Sequence, residues 1–377
     1  MEGYAEFSRF ILQNQKKQNR AGYLDDPADG ALRFRLQLKN RLLRRLLDTI
    51  IFPSSFAGHR LTVYPRTGPF GQLFLFVKMR INAMCKLISP KLCRSGKLRY
   101  DGFMKIAVFG SRGYLGGQFL SIYPDALAPR VDIADARSVG EILEKEHPDV
   151  VINTAGKTGR PNVDWCEDHK EETIHSNVTG PLVLLEECMK RNIYMVHLSS
   201  GCIYDGDKGG EGYAETDAPN FFGSFYSKSK IWSDQVLADF PVLILRIRMP
   251  FDDTLNERSL ITKILKYERV LDVRNSLTYI PELLQAARLL IEKRKTGIYH
   301  VVNPRPVSPY EIIDWYKEIV DPSHRAERLT LEQLPQVAKT GRSNCVLSPK
   351  KVEAEGMVFS PGDEAVKKAL RAIAAGR

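Results

Sequence analysis

The sequence predicts an α/β protein: a doubly wound parallel sheet, a smaller C-terminal part and a basic N-terminal extension. Three observations carry this. Short β-branched runs alternate with helical patterns from residue 104 onward. A glycine triplet follows the first of those runs. The charge changes character near residue 103: residues 1–103 hold 19 Lys+Arg against 7 Asp+Glu, whereas 104–377 hold 36 against 38.

The strands are read in order. "MKIAVFG" (104–110) is an apolar run ending in glycine, and "DVVINTAG" (149–156) and "YMVHLSSGCIY" (194–204) follow. "PVLILRIRMP" (241–250) and "GIYHVVNP" (297–304) complete the series. Near-continuous hydrophobic runs of this kind suit strands buried on both faces of a parallel sheet. "SVGEILEKEH", "GPLVLLEECMKRN" and "KSKIWSDQVLADF" are the intervening helices. The stretch for a second strand, "YPDALAPRVDIAD", is short. Ser308, Pro309 and Glu311 read as a capped helix start. The expected domains are the extension 1–103, a cofactor-binding core 104–250 with 273–303 returning to it, and a substrate-binding part formed by 251–272 and 304–377.

The whole-chain charge of +10 belongs to the first hundred residues, so a nucleic-acid role for the main domain has no support. Within the extension, "LRFRLQLKNRLLRRLLDTIIF" (32–52) spaces leucines helically with arginines between them. An ordinary extension is the favoured reading. A membrane-surface helix is the alternative and the one route to membrane contact. No apolar run reaches the roughly 18 residues of a transmembrane helix. The N-terminus lacks a signal-peptide pattern. The six cysteines show neither CxxC nor zinc spacing, so no metal is expected and a cytoplasmic, reducing location is.

The glycine triplet is Gly110, Gly113 and Gly116 in "GSRGYLGG". A strand, glycines and a helix N-terminus allow close approach of a pyrophosphate. Tyr114 and Leu115 fall in the same turn. Arg112 within the loop would suit a 2′-phosphate, and no acidic residue is clearly placed for the 2′-hydroxyl of NAD. NADPH is therefore favoured, with NADH open. Asp132 and Ile133 are expected along the adenine, and Asn153, Thr154, Ala155, Gly156 and Asn177 along the rest of the cofactor. "FYSKSK" puts Tyr226 and Lys230 one helical turn apart, a proton donor with an ammonium beside it. "HLSS" supplies Ser199 and Ser200, either of which can hold a carbonyl oxygen.

In this order the glycine loop, "NTAG", "SS", "YSKSK", "LRIRMP" and "GIYHVVN" resemble the extended short-chain dehydrogenase/reductase superfamily. The likeness covers about residues 104–377. "AGKTGRPNVDWCEDHKEETIHSNVTG", "PNFFGSFYSKSK" and "TGRSN" resemble the bifunctional nucleotide-rhamnose synthases of the branch related to dTDP-4-dehydrorhamnose reductase. The resemblance implies a Rossmann domain with a smaller substrate domain, and a nucleotide-sugar substrate reduced at C4 and epimerised at C3 and C5. It implies Ser200, Tyr226 and Lys230 as catalytic residues and a homodimer as one assembly. Gly201 stands where dTDP-rhamnose reductases usually carry an acidic residue, and the plant-like synthases share the glycine. Related GDP-fucose synthases use a cysteine as ring base, which points to Cys166, with a buried packing role as its alternative. Lys263 is the expected opposing acid, although a solvated helix lysine is the more ordinary reading. Arg342 matches the position that grips the nucleotide diphosphate, and Arg258, Arg160 and Asn162 are further substrate candidates. The same branch includes the non-catalytic β-subunit of methionine adenosyltransferase, which is the competing reading.

Overall fold

A computed structural model describes residues 104–376. The extension 1–103, with its basic stretch 32–52, lies outside the described residues. Five strands form one parallel sheet: β1 (Ile106–Phe109), β2 (Val150–Asn153), β3 (Tyr194–Ser200), β4 (Leu243–Ile247) and β8 (Gly297–His300), in the order β1-β2-β3-β4-β8. Every residue of β1, β2 and β4 is buried, as the unbroken apolar runs require.

Helices cover both faces. On one side α1 (Tyr114–Ile122) and α8 (Ile280–Glu292) contribute Phe119, Leu283 and Leu290 to a core with Val108, Ile152 and Leu245. On the other, α2 (Ala136–Glu146), α5 (Gly180–Lys190) and α6 (Phe225–Leu237) contribute Leu143, Leu184 and Leu237 beside Phe109 and Val151. The short second strand is reduced to one bridge, Leu127 against Ala107. Leu127 donates to the Ile106 carbonyl at 2.8 Å and its carbonyl accepts from Val108 at 2.8 Å. Pro124 and Pro129 flank it, and proline has no N–H with which to extend a ladder. The chain thus leaves β1 toward Leu127 on one edge and pairs β2 on the other. That reversal opens a crevice beyond the carboxyl ends of β1 and β2, where open α/β sheets bind ligands.

The smaller part holds β5 (Pro250–Phe251), β7 (Asn275–Tyr279) and β9 (Asn303–Val307) in one sheet, and β6 (Arg269–Leu271) paired with β10 (Glu327–Leu329). The return to the main sheet therefore begins at α8 rather than at residue 273, because β7 pairs with β5 and β9. Helices α7 (Leu260–Ile264), α9 (Pro309–Ile319) and α11 (Gly362–Ala375) close a second core of Phe251, Ile261, Tyr279, Ile313 and Leu370. Helix α9 has the expected capping box: the Ser308 hydroxyl accepts from Glu311 N–H at 3.0 Å and Glu311 accepts from Ser308 N–H at 2.7 Å. No helix among the described residues is long and apolar enough to cross a membrane.

Candidate active site

The glycine loop sits at the mouth of this crevice. Gly110 has φ +78°, and a Cβ there would stand 2.5 Å from the Ala155 nitrogen. A Cβ on Gly116 would stand 2.3 Å from the Gly110 carbonyl oxygen. Gly113 is the N-cap of α1 and offers no side chain to its first N–H groups. Those donors and the bare backbone suit an anionic pyrophosphate. Arg112 is exposed in the loop, and Tyr114 and Leu115 lie half-buried against the main core.

Several predicted cofactor residues shape the crevice instead of facing it. Asn153 is fully buried, and its Oδ1 accepts from Ala155 N–H at 3.0 Å. The Thr154 hydroxyl donates to the Phe109 carbonyl at 2.8 Å. Asn177 accepts from Lys157 N–H at 2.7 Å and donates to the Lys157 carbonyl at 2.9 Å and the Ser229 hydroxyl at 3.1 Å. These side chains fix the turn, in which Ala155 is half-buried and Gly156 exposed. Ile133 is consumed by packing: a Cβ on Gly180 would meet its Cδ1 at 2.5 Å. Asp132 stays at the surface, 2.7 Å from His175 Nε2. Burial pushes its carboxyl up, but Ala134 N–H and His175 outweigh that and hold it below the usual range.

The start of α6 is tied down from both sides. The Ser224 hydroxyl accepts from Ser227 N–H at 3.2 Å, and Glu167 accepts from Phe225 N–H at 2.7 Å. Tyr226 and Lys230 follow on one face, 8% and 4% exposed. The two serines separate cleanly. Ser199 donates to buried Asp234 at 2.5 Å, whereas Ser200 hydrogen-bonds the Tyr226 phenol. Ser200 is therefore the serine of the site. Burial pushes the Tyr226 phenol well above its ordinary value, Cys202 and Cys166 add to the rise, and Ser200 and Arg248 counter it. Burial pushes the Lys230 ammonium down against the opposing pull of Asp234 and Cys202. The tyrosine is thus a protonated acid at neutral pH.

Two thiols lie near this tyrosine: Cys166, which the sequence reading singled out, and Cys202, which it did not weigh. Cys166, in α3 (Trp165–Asp168), is 0% exposed, and burial raises its thiol. A sealed thiol cannot reach a sugar ring in this arrangement. Cys202 is half-buried, two residues past Ser200, and within electrostatic reach of Tyr226, Lys230 and Lys263. Arg248 Nη1 donates to its sulfur at 2.8 Å, a contact that stabilises negative charge there. Arg248 is itself buried and anchored on Asn275 Oδ1 at 2.6 Å. Sequence reading missed Cys202 and Arg248. The signal was present: "SSGC" places a thiol two residues beyond Ser200, at the end of β3. Gly201 between them faces Leu347, whose Cδ1 would stand 2.5 Å from an added Cβ, so a larger residue there would displace that leucine.

Lys263 on α7 is half-buried, not solvated, and burial and the Arg258 cation lower its ammonium. The predicted arginines form a clasp. Arg342 makes a bidentate pair with Asp164, at 2.7 and 2.8 Å, and reaches Asn162 Oδ1 at 3.5 Å. Arg258 donates to the Gly159 carbonyl at 3.0 Å. Burial and neighbouring Arg160 lower the Arg258 guanidinium. Lys339 and Thr340 add contacts to Asp168 and Asp164. Loop 159–164 is thus held by two arginines of the smaller part. Arg160, within this loop, is exposed.

A glycine cradle at the switch point, with Ser200, Tyr226 and Lys230 beyond it, is a dehydrogenase arrangement. Comparison with known families agrees: residues 104–375 match the model described as the RmlD substrate binding domain. The chain belongs to this family. It is 42% identical over 230 residues, 59% of this chain and 76% of the relative, to an Arabidopsis thaliana protein named bifunctional dTDP-4-dehydrorhamnose 3,5-epimerase/dTDP-4-dehydrorhamnose reductase. A trifunctional UDP-glucose 4,6-dehydratase/UDP-4-keto-6-deoxy-D-glucose 3,5-epimerase/UDP-4-keto-L-rhamnose-reductase of the same plant is 37% identical, and this chain spans 42% of its length. Among solved structures, the UDP-rhamnose synthase L780 of Acanthamoeba polyphaga mimivirus superposes with TM-score 0.69 at 30% identity, over 72% of this chain and all of that one. A Bacillus anthracis dTDP-4-dehydrorhamnose reductase in complex with NADP shares the fold, with TM-score 0.63 at 18% identity over 73% of this chain and all of that one.

Proposed function

We propose that this chain is an NADPH-dependent reductase of nucleotide-linked 4-keto-6-deoxyhexoses that also epimerises C3 and C5, yielding a nucleotide-linked rhamnose-type sugar. The observation that carries the reading is the cluster of Ser200, Tyr226, Lys230, Cys202 and Lys263 at one strand end. It holds a reduction acid and a second acid–base pair in one crevice. The relatives named above as epimerase/reductases support it. This chain spans 42% of the trifunctional relative, and the 4-keto sugar is taken as supplied.

When bound, NADPH supplies the hydride for C4. Gly110, Gly116 and the N-terminus of α1 would hold its pyrophosphate. Ser200 orients the C4 oxygen, and Tyr226 delivers its proton there. Before reduction, C3 and C5 are acidified by the C4 ketone. Cys202 removes a carbon-bound proton, with Arg248 stabilising its sulfur, and Lys263 returns one from the opposite side. The sugar is an enolate between these steps. Each epimerisation leaves a proton on Cys202 and takes one from Lys263, and exchange with solvent resets both groups before the second carbon reacts. Arg342 and Arg160 are the cations proposed to meet the diphosphate of the substrate.

The test is NADPH oxidation by the full chain with UDP- and dTDP-4-keto-6-deoxyglucose, with solvent deuterium followed into C3 and C5. Oxidation with deuterium at both carbons is the expected result. No oxidation with either nucleotide would overturn the reading and favour a non-catalytic partner protein.

A further inference from the structure

The stretch around Cys166 is distinctive in the sequence, yet its sealed thiol has no part in the proposed chemistry. The next residue, Glu167, makes a contact that the mechanism leaves unused. Its Oε1 accepts from Phe225 N–H at 2.7 Å, across 58 positions of chain. Phe225 is the first residue of α6, so its N–H has no acceptor within the helix. Tyr226 follows it directly. On the other side of Tyr226, the Ser227 N–H donates to the Ser224 hydroxyl at 3.2 Å. The Tyr226 carbonyl accepts from the Ser229 hydroxyl at 2.7 Å. The backbone of the proposed acid is thus bracketed by three bonds. Of these three, the Glu167 bond is the one that reaches in from another element.

A brace works only if its own base is fixed. Glu167 lies in α3, a single turn that the strap 339–342 holds at both ends. At the start, Asp164 pairs with Arg342 at 2.7 and 2.8 Å and accepts from Thr340 N–H at 3.1 Å. At the end, Asp168 accepts from Lys339 Nζ at 2.5 and 2.6 Å. Between them, the Trp165 ring stacks on His169 at 3.9 Å, and His169 Nδ1 lies 2.8 Å from the Trp165 carbonyl. The same strap holds the chain just before α6, because the Thr340 hydroxyl donates to the Gly223 carbonyl at 2.6 Å. The turn that carries Glu167 and the turn that carries Tyr226 therefore share one anchor.

We propose that Glu167 is a positioning residue of the reduction: its carboxyl, fixed through α3, holds the first turn of α6 so that the Tyr226 phenol stays against Ser200. For the reaction this rests on the reductase reading above. The phenol must keep its bond to Ser200 while it faces the C4 oxygen. A helix that loses a terminal bond frays first in that turn, and Tyr226 is its second residue. A displacement of about 1 Å there is enough to cost on the order of 10² in rate. The work belongs to the hydrogen bond and its reach. The charge of the side chain is secondary, since any oxygen held at that distance caps the same N–H.

The experiment uses the full chain and substitutions that separate reach from charge. Glu167→Gln keeps an oxygen at the same reach and removes the charge. Glu167→Asp keeps the charge and withdraws it by one methylene. Glu167→Ala removes both. Without substrate, amide exchange at Phe225 should speed up by about fivefold or more in the Asp and Ala variants and stay near wild type in the Gln variant. The Tyr226 ring signals, assigned with Tyr226→Phe, should move in the same two variants. With substrate, kcat should fall by about tenfold or more in the Asp and Ala variants, with KM for the 4-keto sugar and Kd for NADPH within about twofold of wild type. The Gln variant should keep most of kcat. Unchanged Phe225 exchange in the Asp and Ala variants overturns the proposal. So does a Glu167→Asp enzyme of normal kcat, or a Glu167→Gln enzyme that loses as much as Glu167→Ala. A wild type that oxidises no NADPH would sink the reductase reading, and the substrate-free signals would still decide whether Glu167 holds Tyr226.

Discussion

Lys230 and Arg342 are the two cations that the sequence assigns to catalysis and to substrate, and the fold treats them in opposite ways. Lys230 is sealed on the floor of the crevice, bonded to a backbone carbonyl and facing the His197 imidazole. Arg342 sits at the rim, 22% exposed, in a bidentate pair with an equally exposed Asp164. The floor controls charge by removing water. The rim controls it with a counter-ion. Effects at the floor should therefore fall on turnover, and effects at the rim on substrate binding.

The largest expected effect is at Tyr226. Replacing it by Phe removes the acid and should cost on the order of 10²–10⁴ in kcat. NADPH binding, followed by fluorescence titration, should stay near normal. A variant that keeps near-normal turnover would place the acid elsewhere and dissolve the contrast between floor and rim.

Next come the two thiols. Cys202→Ser should slow solvent deuterium entry at C3 and C5 by at least about tenfold, with reduction of an already epimerised 4-keto sugar preserved. Cys166→Ser should leave exchange intact and lower the melting temperature, because a hydroxyl replaces a sealed thiol among packed groups. The reverse pattern would restore Cys166 as the ring base.

At the rim, Asp164→Asn should raise KM several-fold and leave kcat close to wild type, since the amide cannot hold Arg342 as a carboxylate does. A partly exposed pair of this kind is worth only about 1 kcal/mol, so the melting temperature should move little. Arg342, first among its influences, holds the Asp164 carboxyl below the usual range. A depressed carboxylate contributes above its unfolded value of about 3.9 and loses that contribution as pH falls through its lower folded value. KM should consequently be flat on this account near neutrality and rise only in strong acid. A KM that changes between about pH 6 and 8 in wild type but not in Asp164→Asn would show that the carboxylate titrates higher than the pair allows.

This difference between floor and rim also decides what the sequence could reveal. The glycine loop, the strand ends and the Tyr226–Lys230 spacing are local patterns, fixed by backbone geometry within a few residues. They read directly from the chain. Ser199 and Ser200 are adjacent and chemically identical, and only the strand's alternation tells them apart: one turns to Asp234 and the other to Tyr226. Cys166 lay in a conspicuous motif and Cys202 in a plain one. Exposure separates them, and exposure is set by elements far away in sequence. The Asp164–Arg342 pair spans 178 positions and has no local signature. The same holds for Glu167, which looks like one more charge beside Cys166 until the Phe225 N–H is placed against it.

The smallest expected effect concerns the extension. Residues 104–376 contain the three hydrophobic cores described above, the crevice and every residue assigned a role above. The family match also begins at Met104. Residues 1–103 hold the basic excess and lie outside the described region. About 270 residues suffice for a self-standing fold of this kind. A chain started at Met104 should therefore equal the full chain in kcat, KM and melting temperature. An insoluble or inactive truncation would mean that the extension is part of the enzyme, and the boundary would have to move upstream. An active truncation that no longer sediments with anionic vesicles, where the full chain does, would assign the basic stretch 32–52 to membrane attachment. Equal behaviour of both chains in that assay would leave the extension without a role in either catalysis or attachment.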